Sequence, residues 1–162
     1  MSSRPLNPIT AVIGAWDRLH QLPGGTWLFS RLLGLTVPYT GTIGAHVREL
    51  RPGFARVTLR DRRRVRNHLK SVHALALANL GEVTSGLGML AALSANVRGI
   101  PVSLSIEFVK KGRGTLTAIS TSSPPTLVTG PTELDVETLI TDATQELVAR
   151  TTVRWLLSPV TP

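Results

Sequence analysis

No cysteine occurs anywhere in the 162 residues. That absence excludes disulfides, thiolate metal centres and cysteine nucleophiles together, and it accords with an expected cytoplasmic location. Aromatic residues are also scarce, at 4%. They leave little material for base-stacking platforms, and no nucleic-acid recognition motif is present, so nucleic acid is not an expected partner. Acidic residues are few: ten stand against eighteen lysines and arginines, for a net charge of +8 and a sequence pI near 11.4. The imbalance favours anionic partners, and arginine, which supplies most of it, suits phosphate recognition. The densest cluster is Arg60, Arg62, Arg63, Arg64 and Arg66. Several motifs are missing as well. There is no G-x-S-x-G elbow, no phosphate-binding G-x-x-x-x-G-K-[ST], and no strand-linked G-x-G-x-x-G. His68 and His73 stand five apart without a matching carboxylate, so no metal site is expected. The start, MSSRPLNPIT, does not read as a secretory signal.

What remains is an ordinary globular composition, 42% hydrophobic, in a chain sized for one domain. Ile9, Val12, Ile13, Trp16 and Leu19 recur at helical spacing, predicting an amphipathic helix over 8–20. Pro23-Gly24-Gly25 breaks it, and a second short helix is expected from Thr26 to Leu33, ending near Gly34. From Thr42 the period becomes two. Ile43, Ala45 and Val47, then a Pro52-Gly53 turn, then Ala55, Val57 and Leu59 predict a β-hairpin. Residues 71–97 follow, with Glu82 as their one formal charge. The stretch is too long for a strand and reads as a helix over about 71–94, with Ser71 as its N-cap. A mid-bilayer carboxylate is costly, so a buried helix is expected rather than a transmembrane segment. Gly81, Gly86 and Gly88 weaken this helix unless another backbone or a ligand must come close.

Alternation returns after Gly99-Ile100-Pro101. Val102, Leu104, Ile106 and Phe108 are expected on one strand face, with Ser103, Ser105 and Glu107 on the other. Further strands are expected over 115–121, around Leu134–Ile140, and from Leu147 to Trp155, with a loop over 122–131. The fold class is therefore α+β: an antiparallel sheet wrapped around one long central helix. Uniform apolarity follows if the sheet encloses that helix. This is the hotdog arrangement. Residues 1–40 are read as an N-terminal helical extension and 41–162 as the hotdog domain.

Asn67, His73 and Glu82, spaced N-(x5)-H-(x8)-E, resemble the motif of the hotdog-fold acyl-CoA thioesterase superfamily. RNHLKSVHALALANLGE and IPVSLSIEFVKKGRG resemble the bacterial DUF4442 group within it. Two positions depart from the thioesterase pattern. Ala74 and Leu75 replace the usual glycines after the histidine, and Lys70 replaces a glycine three residues before it. The resemblance implies hydrolysis of an acyl-CoA or acyl-carrier thioester by a homodimer or homotetramer, with Glu82 as general base or nucleophile. It needs no cofactor beyond the coenzyme A of the substrate.

A helix N-terminus supplies free N–H groups and a positive dipole end for an oxyanion. The amides of His73, Ala74 and Leu75 are candidates, and Asn67 could add a side-chain donor. Glu82 lies about 13 Å beyond His73 along a helix, too far to share one carbonyl with it in the same protomer. The spacing therefore predicts a site shared between protomers, and a pocket there lined by Leu77, Val83 and Met89 with the N-terminal helices. Ser103 and Ser105 are candidates for positioning water or substrate. Lys110, Lys111 and Arg113 flank a glycine turn that suits phosphate. Against these functional readings stand plainer ones: Glu82 paired with an arginine such as Arg98, a helix-start histidine, solvated serines and a solvated hairpin tip. Competing functions are a non-catalytic acyl-CoA or fatty-acyl binding protein, a hotdog dehydratase, and a basic nucleic-acid or membrane-surface binder.

Overall fold

The structure, a computed structural model, describes residues 8–160. Three N-terminal helices, α1 (Pro8–Leu19), α2 (Gly25–Thr36) and α3 (Pro38–Ile43), precede a hairpin of β1 (His46–Arg51) and β2 (Phe54–Arg60). The long helix α4 (Ala74–Ala92) comes next. Strands β3 (Val97–Phe108), β4 (Thr115–Thr121), β5 (Thr132–Thr141) and β6 (Leu147–Pro159) complete the chain. The six strands form one antiparallel sheet in the order β1-β2-β4-β5-β6-β3, curved around α4.

The enclosure accounts for the composition of α4. Leu77, Leu80, Val83, Leu87 and Met89 are all buried, and so are Thr84 and Ser85, whose hydroxyls donate back to helix carbonyls. Each fully buried aliphatic side chain contributes roughly 1.5–3 kcal/mol. α4 is long and apolar enough to cross a membrane by composition, but 56% of its most apolar window is buried inside the fold. Its glycines are points of close approach. A Cβ on Gly88 would lie 3.0 Å from the backbone of Phe54, and one on Gly81 would lie 2.2 Å from the hydroxyl of Thr151. The β1–β2 turn also donates from Gly53 N to the carbonyl of Gly88 at 2.9 Å.

Several boundaries differ from the sequence reading, each for a physical reason. α4 begins at Ala74, not Ser71: His73 is its N-cap, extended at ψ 144, and Nδ1 of its ring accepts from Leu75 N. α2 runs past Gly34 to Thr36, because Gly34 serves its crossing with α3. A Cβ on Gly41 would stand 2.3 Å from the Gly34 carbonyl oxygen. Thr42 and Ile43 are helical rather than extended, and Ile43 is buried from α3. Pro101 lies inside β3, which begins at Val97. Proline is tolerated there because β3 is an edge strand, and the register shifts between Pro101 and Ser103. Both faces of β3 beyond Val97 are largely open, so its predicted alternation of buried and exposed positions does not develop.

The N-terminal helices are fixed to the sheet and α4. Trp16 stacks on His20 and meets Phe29 edge-on, joining α1 to α2. Ser30 Oγ accepts from Val47 N at 2.9 Å. Two of the clustered arginines cap α3: Arg62 donates to the carbonyls of Ile43 and Gly44, and Arg64 to that of Thr42. Arg66 instead pairs with Asp61 at 2.6 Å.

Candidate active site

The segment leading into α4 is a tight loop braced by one side chain. Oδ1 of Asn67 accepts from Leu69 N, Ser71 N and the hydroxyl of Ser71, at 2.9, 3.2 and 3.1 Å. Asn67 N donates to the Ser71 carbonyl, and His73 N to that of Val65. With its oxygen committed, Asn67 keeps Nδ2 as a donor that has no partner among the described residues. Lys70 holds the turn with φ 55, in the left-handed region. That conformation gives a structural reason for a glycine at this position, since an L side chain there costs energy.

The amides at the start of α4 are not all available. His73 N is bonded to Val65, and Leu75 N to the His73 ring at 3.1 Å. Ala74 N alone of the three has no acceptor among the described residues. Because Nδ1 of His73 accepts a backbone N–H, the neutral ring carries its proton on Nε2 and presents that N–H outward. The junction thus offers three donors: Asn67 Nδ2, Ala74 N and His73 Nε2.

Glu82 lies farther along α4. Leu75, Ala78, Asn79 and Glu82 recur at helical spacing on the face of α4 that lines an open groove of about 520 Å³. Pro101, Val102, Ser103 and Leu104 of β3 form the opposite wall, and Tyr39 and Thr40 close one end. Ser103 is therefore at the groove, whereas Ser105 pairs with Thr152 along the sheet and does not line it. Burial raises the Glu82 carboxyl above the ordinary glutamate value. The carboxylate has no hydrogen bond or ion pair among the described residues, and Arg98 does not neutralise it. A half-buried acid with no structural partner, open to a groove, is placed to accept a proton or attack a carbonyl. Asn79 lies one turn before it. Its Nδ2 donates to the Tyr39 carbonyl at 3.3 Å, and its oxygen is buried without a donor.

The basic turn packs beside the start of α4, where Val72 N donates to the Gly112 carbonyl at 2.9 Å. Lys110 is committed elsewhere, to Asp142 and Glu146 in the β5–β6 turn. Its ammonium holds the Asp142 carboxyl far below the usual range. Lys111 and Arg113 have no ion pair among the described residues and remain available to an anion. No group of three or more histidine, aspartate or glutamate side chains among the described residues is arranged to hold a metal.

Behind the groove lies a second cavity of about 560 Å³ between α4 and the N-terminal helices. Val83 lines it, but Leu77 and Met89 do not, being buried against the sheet. The sequence reading placed Val83 and the N-terminal helices at a pocket between protomers; this chamber, which α1–α3 build over α4, lies within a single chain.

Comparisons with known proteins agree on the architecture. The family described as "Domain of unknown function (DUF4442)" matches residues 25–157. The crystal structure of genomics APC5556 shares 30% identity, with 92% of this chain and 99% of that chain covered, at a TM-score of 0.80. A protein of unknown function from Pseudomonas aeruginosa, described as a probable thioesterase, shares 22% identity. There 85% of this chain and 97% of that chain are covered, at a TM-score of 0.72. A mutant of a thioesterase enzyme from Staphylococcus aureus shares 14% identity, with 75% and 99% covered, at 0.66. No curated protein matches this chain.

Proposed function

Because this chain belongs to the DUF4442 family and has the hotdog fold, we propose that it is a thioesterase acting on acyl-CoA or acyl-carrier thioesters. The carrying observation is Glu82: a half-buried carboxylate with a raised pKa and no partner among the described residues, facing a groove that solvent can enter. In this reading Glu82 attacks the thioester carbonyl or removes a proton from the attacking water. The tetrahedral oxyanion is held by Ala74 N and Asn67 Nδ2 of a second protomer, and His73 Nε2–H orients the ester. Collapse breaks the C–S bond, and the thiolate takes up the proton that Glu82 removed from water, leaving as coenzyme A or carrier thiol beside the free acid. Where Glu82 itself attacks, the thiolate is protonated from solvent, and water hydrolyses the acyl–Glu82 anhydride to the acid and free Glu82.

The need for a second protomer rests on distance. Within one chain Glu82 and the helix start are about 13 Å apart, more than one carbonyl can span. The edge strand β3 supports the pairing. Its outer side is unpaired, and Ile100, Val102, Leu104 and Phe108 are exposed along it. An open edge strand of twelve residues that exposes four large apolar side chains is normally covered, and β3 is also one wall of the groove that holds Glu82. Lys111 and Arg113 are candidates for the carrier phosphates.

A specific observation favours binding without turnover as the second reading. Leu75 is 63% exposed beside the oxyanion donors, and its own amide is spent on His73. Hydrolysis of an acyl-CoA panel by the native chain and by Glu82→Gln separates the two. The thioesterase reading expects turnover and a loss of at least about a hundredfold in the variant, the usual scale for general-base catalysis. Esters that bind without turnover would leave the binding reading. Turnover that survives the substitution would remove Glu82 from the mechanism.

A further inference from the structure

The chamber behind Glu82 is built by a single protomer. Its walls include Val12 and Ala15 of α1, Leu33 of α2, Val83 and Leu87 of α4, and Trp155 of β6. Glu82 and Thr40 line both this chamber and the groove, so the two cavities share a wall at the reactive carboxylate. Glu82 and Arg98 are the two charged residues among the chamber's lining. Arg98 is exposed, at the first residues of β3, and has no ion pair among the described residues. The remaining wall is almost wholly apolar. Water gains few hydrogen bonds in such a space, whereas a hydrocarbon chain gains transfer free energy with each methylene.

We propose that this chamber takes the acyl chain of the thioester, and that α1 and α2 set its length. The inference rests on the thioester reading above and adds the substrate class: fatty acyl groups of medium to long chain. At about 560 Å³ with a partly open mouth, the cavity falls within the range of pockets that bury a small-molecule ligand, enough for a hydrocarbon chain on the order of ten carbons or more. The carbonyl lies at Glu82, the chain runs inward beneath the N-terminal helices, and the carrier leaves through the groove toward Lys111 and Arg113. Chain length is thereby read by the protomer that supplies Glu82, independently of the protomer that supplies the oxyanion donors.

The test uses S-alkyl-coenzyme A thioethers of about two to twenty-two carbons, which cannot be hydrolysed, titrated by calorimetry against the full chain. Affinity is expected to tighten about two- to fourfold per methylene and then to level off when the chamber is full. Ala15→Phe, which narrows the chamber from α1, moves that levelling several carbons shorter. Leu32→Ala, at a partly exposed lining position of α2, moves it longer and guards against a folding defect in the first variant. A levelling point unmoved by either substitution overturns the proposal. So does equal weakening of free coenzyme A and of every thioether by Ala15→Phe, which would make the chamber the carrier's channel. Length-dependent binding that shifts as stated, in a protein without thioester turnover, upholds the chamber and removes the hydrolytic reading. Turnover with no dependence on chain length does the reverse.

Discussion

Gly81→Ala changes one hydrogen to a methyl next to the candidate catalytic residue, and its cost can be worked from the packing. The added Cβ would lie 2.2 Å from Thr151 Oγ1, 2.5 Å from its Cγ2 and 2.8 Å from its Cβ. Rotating the Thr151 side chain cannot relieve the last contact, because Cβ does not move with χ1. The helix must therefore shift away from β6, and Thr138, whose hydroxyl donates to the Gly81 carbonyl at 3.1 Å, must follow or lose that bond. Overpacking costs about 1–3 kcal/mol, and three contacts below 3.0 Å place this site at or beyond the upper end. Alanine returns about 1 kcal/mol of helix propensity. The net expectation is a loss of about 2 kcal/mol, or about 4–8 °C in Tm for a chain of this size. Denaturant unfolding of the native chain, Gly81→Ala, Thr151→Ala and the double variant measures it. Thr151→Ala removes the two closest atoms and a buried hydroxyl that has no hydrogen-bond partner. The double variant should therefore be more stable than the sum of the single losses predicts, by about 1 kcal/mol or more. Strict additivity, or a Gly81→Ala protein as stable as the native one, would refute the claim that close approach to β6 requires this glycine.

Three further expectations concern the site. Burial raises the Glu82 carboxyl in the folded chain, so between the ordinary glutamate value and the raised one the folded state binds a proton that the unfolded state does not. Stability should therefore fall as pH rises through that window, and the full penalty should stand above it. Glu82→Gln is expected to be more stable than the native chain near neutral pH, with the difference shrinking as the pH falls to the ordinary glutamate value. Parallel stability–pH curves for the two proteins would contradict this. Lys70→Gly should stabilise by a few tenths to about 1 kcal/mol, because it relieves a left-handed backbone at φ 55; destabilisation in thermal unfolding would count against strain there. Leu104→Lys on the open β3 edge should yield monomers in sedimentation and lose turnover with the fold intact by circular dichroism, whereas a retained dimer would place the subunit contact elsewhere.

Much of the site was legible in the sequence because it is carried by short-range pattern. Glu82 stood out as the one formal charge in an apolar helix, and Asn67 and His73 were marked by their spacing from it. Spacing could not show what each group already bonds. Asn67 spends its oxygen on its own loop, and His73 its Nδ1 on Leu75 N. Only the folded loop shows that Ala74 N is left over. Lys110 looked like part of a phosphate clamp, but Asp142 and Glu146, more than thirty residues away in sequence, claim it. The departure at Lys70 likewise acquires meaning only from its φ angle.

The sheet-around-helix architecture follows from the linear pattern of apolar residues alone. A long apolar helix and period-two strands must bury each other, and one helix with one sheet has few ways to do so. Where the empty space lies depends instead on how distant elements pack. A cavity is what remains when distant elements fail to fill a volume, and no residue encodes it locally. Here α1–α3, held by Trp16, Phe29, Arg62 and Arg64, roof one side of α4 and leave the chamber that ends at Glu82.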